Sequence, residues 1–317
     1  MYDRIASNVR KTWALMFLFV LLIAALGWAF SYWTGWGAYG VPVAVGIAIL
    51  MTWGSYFSSD KIALSMSRAK PADPSEYGQL HNIVEGLTLA AGIPKPRVYI
   101  VNDPAPNAFA TGRNPKHGAV AVTTGLLELM NRDELEGVLA HELSHIQNRD
   151  TLVMTIAVTL VGVVVLLGDF FMRAMWFGGG NRDSNRGGGG PAAIFAIFGI
   201  VLLILAPIFA QLLQFAISRR REFLADTDAV FLTRHPEGMI GALEKLKQDP
   251  TVVRTASRAT AHLWIESPIA RSAHEGQSRT NKSGAWLNRM FNTHPPLDDR
   301  IDALKSLTPG LMPTPPA

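Results

Sequence analysis

The chain contains no cysteine. That excludes disulfides, thiolate metal sites and a cysteine nucleophile, so any bound metal must be held by His, Asp or Glu. Charge is scarce as well. Asp, Glu, Lys and Arg make up 17% of the 317 residues, against roughly a quarter in an ordinary soluble domain. No G-x-x-x-x-G-K-[ST] phosphate loop is present, which leaves an ATP-driven unfoldase without support. No internal repeat is visible. The net charge of +4 is modest, and the basic residues gather beside apolar runs. That pattern suits membrane orientation better than nucleic-acid binding.

What replaces the missing charge is apolar sequence, 49% of the chain, drawn into a few long runs. Residues 1–11 carry Arg4, Arg10 and Lys11 and lead into a run over 13–33. This run is too long for the core of a signal peptide, and no A-x-A-like cleavage site follows it. The uncharged turn Thr34-Gly35-Trp36-Gly37 leads to a second run over 38–57. Each is about the twenty residues that cross ~30 Å of hydrocarbon as a helix. Trp28, Trp33, Trp36 and Tyr39 gather where the two meet, as an interfacial aromatic belt does. A third run covers 151–167 and extends toward Phe177, with Asp169 and Arg173 spaced to pair on one helix face. A glycine-rich linker at 178–190 separates it from a fourth run over 192–217. A helix hairpin buried in a soluble domain is the alternative for these last two, and their length favours the membrane. The runs predict an integral membrane protein with about four transmembrane helices. Arg4, Arg10 and Lys11, then Lys61, Arg68 and Lys70, then Arg219, Arg220 and Arg221 all fall on one side of such a bundle. By the positive-inside rule both termini and both polar blocks face the cytoplasm.

The first polar block mixes helix and strand signals. Leu80, Ile83, Val84 and Leu87 have helical spacing and predict a helix over 76–91, stopped by Gly92 and Pro94. Residues 97–101, 107–110 and 118–122 are short, turn-bounded and β-compatible, and 124–130 reads as a short helix. A further helix opens at Arg132-Asp133-Glu134, with acidic residues where its dipole favours them. It carries His141-Glu142-Leu143-Ser144-His145. Residues four apart share a helix face, so both imidazoles can address one ion. Glu142 between them can hold and deprotonate a water there. The bare H-E-x-x-H arises by chance on the order of once in a hundred chains of this size. Its context decides its meaning, and it stands at the mouth of an apolar span.

A catalytic zinc needs three protein ligands and one open position. His145 precedes the third run by six residues, and Glu222 follows the fourth by five. Along continuous helices those separations are about 9 Å and about 7.5 Å. If the runs are antiparallel neighbours, the two side chains come level, which makes Glu222 the expected third ligand for one zinc per chain. Asp226, one turn further on, is placed to accept a hydrogen bond from a ligand imidazole. A solvated helix face is the alternative for Glu222 and Asp226 taken alone. His81, His117, His235, His262 and His274 sit singly and read as surface residues.

The N-terminal hairpin, Asn107-Ala108-Phe109-Ala110, His141–His145, Glu222-x-x-x-Asp226 and Thr293-His294-Pro295 followed by Arg300 together resemble the HtpX family. That family comprises membrane-embedded zinc metallopeptidases distantly related to the CAAX prenyl proteases. The matching pieces cover nearly the whole chain in the family's order. The resemblance implies an α+β, mainly helical protein whose zincin-like metalloprotease domain is split by the last two runs. Residues 1–60 are then the transmembrane hairpin, 61–150 the first catalytic part, 151–217 the third and fourth hydrophobic segments, and 218–317 the second catalytic part.

The same resemblance implies a zinc-dependent endopeptidase of the cytoplasmic membrane that takes polypeptide substrates. Those substrates are misfolded or accessible segments of membrane proteins, cut for quality control under stress. The lipid bilayer is its other partner, and neither nucleic acid nor ATP takes part. Glu142 is then the general base. His294 and Arg300, which the resemblance places near the cleft, are candidate donors to the oxyanion. Read alone, they are a turn histidine and a helix-surface arginine. Residues 107–110 are a candidate edge strand that holds the substrate backbone by β-augmentation, with an ordinary sheet strand as the alternative. Two rival functions remain: a processing protease with one defined membrane or prenylated substrate, and a non-catalytic scaffold that keeps zinc for folding.

Overall fold

The structure is a computed structural model that describes residues 2–34, 37–178, 197, 200–201, 219–253, 264–265 and 295–307. The first two apolar runs form helices longer than the runs themselves, α1 (Tyr2–Thr34) and α2 (Gly40–Met66). Their backbones approach closely because Gly27 faces Ala44 and Gly40 faces Ser31, where a larger side chain would collide. The third run completes a bundle. Met16, Phe19 and Ile23 of α1 and Ala48 of α2 pack on Leu152, Ile156 and Leu160 of the later helix, Asp150–Gly178. Trp13, Phe17, Leu21, Leu50, Trp53 and Phe57 stay exposed on the outside, where a hydrocarbon phase receives them without cost. Among the described residues three helices are long and apolar enough to cross a membrane, over Asp3–Tyr32, Gly37–Met66 and Asp150–Asp169. Of the fourth expected run only Ile197, Ile200 and Val201 are described, each helical. The rest of that run and the linker beyond Gly178 lie outside the described residues.

Four short strands form one sheet in the order β1-β2-β4-β3. They are β1 (Lys70–Pro71), β2 (Arg97–Val101), β3 (Ala108–Thr111) and β4 (Ala119–Thr123). β2 and β4 are parallel, with Arg97 beside Ala119 and Val101 beside Thr123. β3 runs antiparallel to β4, with Ala108 opposite Val122 and Thr111 opposite Ala119. Side chains alternate across a strand. Val98, Ile100, Ala108, Ala110, Val120 and Val122 therefore join one core, shared with α3 (Gly78–Ala91) and α5 (Arg132–Gln147). Val101, Phe109, Ala119 and Ala121 join another, against Ala63 and Leu64 of α2 and Val153 and Met154 of the third span. Burial on both faces explains why the strand at 119–123 reads as apolar without interruption. The sheet is clamped between the motif helix and the ends of the membrane helices.

Helix α4 (Thr124–Leu129) begins where the Thr123 hydroxyl accepts from Leu126 N–H. α5 begins on a reciprocal cap: the Asn131 side chain accepts from Glu134 N–H, and the Glu134 carboxylate accepts from Asn131 N–H. Leu135, Val138, Leu139 and Leu143 are buried as their spacing predicts. Around α5 pack α7 (Arg219–Thr233), α8 (Pro236–Gln248) and α9 (Leu297–Leu307), so one core joins residues from before and after the third and fourth runs.

One expectation is corrected. α5 does not continue into the third span. The helix ends at Gln147, Arg149 takes a left-handed φ of 57°, and α6 (Asp150–Gly178) starts afresh. A left-handed residue breaks the run of backbone hydrogen bonds that a single helix needs. The 9 Å of helical rise between His145 and the span is therefore replaced by a tight turn that sets His145 beside the span's own first residue.

Candidate metal centre

The motif helix is buried at every position from Leu135 to Ile146 except Glu136, so its polar residues there face protein rather than water. His141 and His145 stand one turn apart with their Nε2 atoms separated by 3.2 Å. α7 brings Glu222 to the same point. Its Oε2 lies 3.8 Å from His141 Nε2 and its Oε1 lies 3.5 Å from His145 Nε2. A tetrahedral zinc with bonds of 2.0–2.1 Å sets neighbouring ligand atoms about 3.3 Å apart. The three donor atoms already stand at ligand spacing.

Each imidazole is fixed from behind. Asp226 Oδ1 lies 2.8 Å from His141 Nδ1, and Asp150 Oδ2 lies 3.1 Å from His145 Nδ1. A carboxylate at Nδ1 keeps the proton there in the neutral ring and presents the Nε2 lone pair to an ion. Asp150 in turn accepts from Asn8 Nδ2 at 2.7 Å and Arg221 Nη1 at 3.2 Å, both on its other oxygen. Asp226 is gripped by Arg300 of α9, whose Nε is 2.8 Å from Oδ2 and whose Nη2 is 2.5 Å from Oδ1.

The charges are consistent with this plan. Burial holds the His141 imidazole down at about 4 against the pull of Asp226, and Arg300 adds to the effect. For His145 burial again acts downward, but the hydrogen bond to Asp150 and the charges of Glu222, Asp150 and Glu142 outweigh it and raise it to about 9. Asp226 resists the upward push of burial because Arg300 holds it ionised, so its carboxyl stays below the usual range. An ion at the two Nε2 atoms would displace the proton these carboxylates otherwise hold on His145. With both rings then neutral, the carboxylates of Glu142, Asp150, Glu222 and Asp226 face two guanidiniums, Arg221 and Arg300. Two buried negative charges are left over, and a divalent cation is the species that balances them. Two imidazoles and a carboxylate without thiolate suit zinc. The donor set fits the ion. Glu142, Ala110, Thr151, Trp264 and Ile265 close a cavity of ≈ 10 Å³ over these atoms, about the room one water needs.

The structure thus draws His141, Glu142, His145, Glu222 and Asp226 into one cluster. Arg300 joins them, but not as a helix-surface arginine and not as a donor facing the cavity. It is fully buried, and its nitrogens are taken by Asp226 and by the carbonyl of Ile265 at 3.2 Å. Its Nε and Nη2 hold Asp226 and its Nη1 donates to Ile265, which places it behind His141 rather than in the lining of the cavity. His294 lies outside the described residues.

Of residues 107–110, Ala108–Ala110 fall in β3, which is the edge of the sheet. Its open side is not bare. Ile265 N–H donates to the Ala108 carbonyl at 2.9 Å, and Phe109 bridges to Trp264. Antiparallel alternation turns the backbone of Ala110 to that same open side, and Ala110 lines the cavity. Asn107 lies just before the strand, where its carbonyl accepts from Thr123 N–H at 3.0 Å. Three participants escaped the sequence reading. Asp150 looked like part of a polar connector, and its only signal was a carboxylate five residues after the second histidine. Trp264 and Ile265 carried no signal at all.

Fold and site together define a class: a metallopeptidase-type centre, two motif histidines and a later glutamate, built at the ends of membrane-spanning helices. The model of peptidase family M48 matches residues 74–308. The chain is similar to the protease HtpX homolog of Caldanaerobacter subterraneus subsp. tengcongensis, 45% identical over 97% of this chain and 98% of that protein. The homolog from Thermoanaerobacter pseudethanolicus is 46% identical over the same shares, and one from Streptococcus pneumoniae is 43% identical over 97% and 100%. Among solved structures, S. mikatae Ste24p superposes at a TM-score of 0.48 with 16% identity, over 96% of this chain and 67% of that one. The chain belongs to peptidase family M48, among the HtpX homologues. It is a multi-pass, membrane-bound protease.

Proposed function

We propose that the chain is a zinc-dependent endopeptidase of the cytoplasmic membrane that cuts exposed or misfolded segments of membrane proteins at the cytoplasmic face. The observation that carries this reading is the buried His141–His145–Glu222 cluster with Glu142 in the same cavity, set at the first turn of a span. His141, His145 and Glu222 hold the ion. When bound, zinc supplies Lewis acidity that polarises a carbonyl and acidifies water. Glu142 takes the proton of a water held in the cavity and later returns it to the leaving amine.

Asp226 and Asp150 act as positioning residues for the two imidazoles, and Arg300 keeps Asp226 ionised and in place. His294 is the proposed donor to the oxyanion, with Arg300 proposed to act through Asp226. The substrate backbone is held at the Ala110 end of β3, since the Ala108 end is occupied by Ile265. The basic residues at the span ends support the cytoplasmic orientation, and exposed segments are the expected substrates because the sequence carries no phosphate-loop motif that would power extraction of folded ones.

Detergent-purified full-length protein incubated with casein tests the reading. Cleavage that stops with a zinc chelator and returns on adding zinc supports it. Cleavage unaffected by metal removal rules it out.

A further inference from the structure

A second, larger pocket lies behind the metal centre. Its volume is ≈ 400 Å³, and it is walled by the start of α1, the α5–α6 junction and the start of α7. Four cations line it, Arg4, Lys11, Arg220 and Arg221, against two carboxylates, Asp3 and Asp150. Asp150 is already engaged by His145, Asn8 and Arg221, so the open wall carries a surplus of positive charge. Arg4 has one long contact, to Asp228 at 3.5 Å. Neither Lys11 nor Arg220 has a hydrogen-bond or ion-pair partner among the described residues.

Arg221 supplies the second observation. Its Nη1 donates to Asp150 and to Asn8 Oδ1 at 3.3 Å, whereas its Nη2 is buried with no partner among the described residues. Buried donors are nearly always paired, so an unsatisfied guanidinium nitrogen in the wall of a cationic pocket marks that wall as short of an acceptor, which an anion would supply. The place selects the anion's chemistry. Lys11 immediately precedes the apolar stretch of the first span, and Asp150 opens the third. The pocket therefore stands at the level where hydrocarbon gives way to phosphate.

We propose that this pocket binds a phosphate group, as carried by an anionic lipid headgroup or a soluble phosphate ester, through Lys11, Arg220 and Arg221. A simple solvated patch at the end of the spans would leave its cations in water and needs neither the concavity nor the orphaned Nη2. The pocket also shares Arg221 and Asp150 with the carboxylate that backs His145. A bound phosphate sits two side chains from the metal centre.

Full-length protein stripped of lipid in mild detergent is titrated with phosphatidylglycerol and separately with phosphatidylcholine, and binding is read by native mass spectrometry. Phosphatidylglycerol should bind more tightly, and Lys11→Gln with Arg220→Gln should weaken it by about fivefold for each cation removed. A control, Arg10→Gln with Lys61→Gln, removes the same charge from exposed positions outside the pocket and should bind like the wild type. Equal loss in both double variants shows general surface attraction and overturns the site. Inorganic phosphate, titrated calorimetrically, separates the sources. Its binding, if it vanishes with Lys11→Gln and Arg220→Gln while lipid preference is absent, assigns the pocket to soluble phosphate. Binding of neither phosphatidylglycerol nor inorganic phosphate refutes the proposal.

Discussion

Replacing Asp150 with asparagine isolates the carboxylate behind His145. Both oxygens of Asp150 act as acceptors: Oδ2 faces His145 Nδ1 at 3.1 Å, and Oδ1 receives Asn8 at 2.7 Å and Arg221 at 3.2 Å. Asparagine offers one acceptor and one donor. Whichever way the amide turns, its NH₂ group meets either the imidazole proton or two other donors. If it turns toward His145, the ring loses the partner that keeps its proton on Nδ1, and the Nε2 lone pair is no longer held toward Glu222. If it turns the other way, His145 loses the charge that raises its basicity. Removing such a partner costs about 10–100-fold in metal affinity, or about 1.4–2.7 kcal/mol. Asp150 suits the experiment better than Asp226, because its arginine partner is less buried than Arg300 and the change leaves no fully buried arginine unpaired. Competition against a fluorescent zinc chelator measures the affinity, and a thermal melt confirms that the variant is folded. Affinity within about twofold of wild type in a folded Asp150→Asn protein refutes the positioning argument.

Arg300→Met leaves Asp226 buried without its partner and should destabilise the protein by about 3–5 kcal/mol, seen as a lower melting temperature. Adding Asp226→Leu should restore most of that stability while zinc affinity stays low, because His141 has then lost its carboxylate. A double variant as unstable as the single one contradicts this account. Gly137→Ala places a Cβ 2.8 Å from Met239 N and 2.9 Å from its Cα, so α5 and α8 must part. The expected loss is about 1–3 kcal/mol in thermal or chemical unfolding. Gly86→Ala on exposed α3 meets nothing within 4 Å and should be neutral or stabilising by roughly 0.5–1 kcal/mol.

Much of the site was legible in the sequence because its ligands follow helical arithmetic. His141 and His145 are one turn apart, Glu222 and Asp226 are one turn apart, and each pair flanks an apolar run of known length. The strands at 97–101 and 119–123 were legible by composition, and their apolar character on both faces records the double burial of the sheet. What stayed hidden depends on contacts between distant segments. Arg300 reads as a surface residue of a short amphipathic helix, and only the fold reveals that Asp226, 74 positions earlier, lies beneath it. Asp150 needed the reversal at Arg149, which no periodicity announces and which a continuous helix would have denied. Trp264 and Ile265 occupy the sheet edge through backbone bonds, and a backbone bond leaves no mark on side-chain pattern.

The most direct measurement is zinc content and casein cleavage of the Glu142→Gln variant, made side by side with the wild type. Glu142 stands in the cavity beside the three ligands but is not one of them. The variant should therefore keep one zinc per chain and lose cleavage, since glutamine cannot accept the water's proton. Full cleavage by a zinc-loaded Glu142→Gln protein contradicts the account.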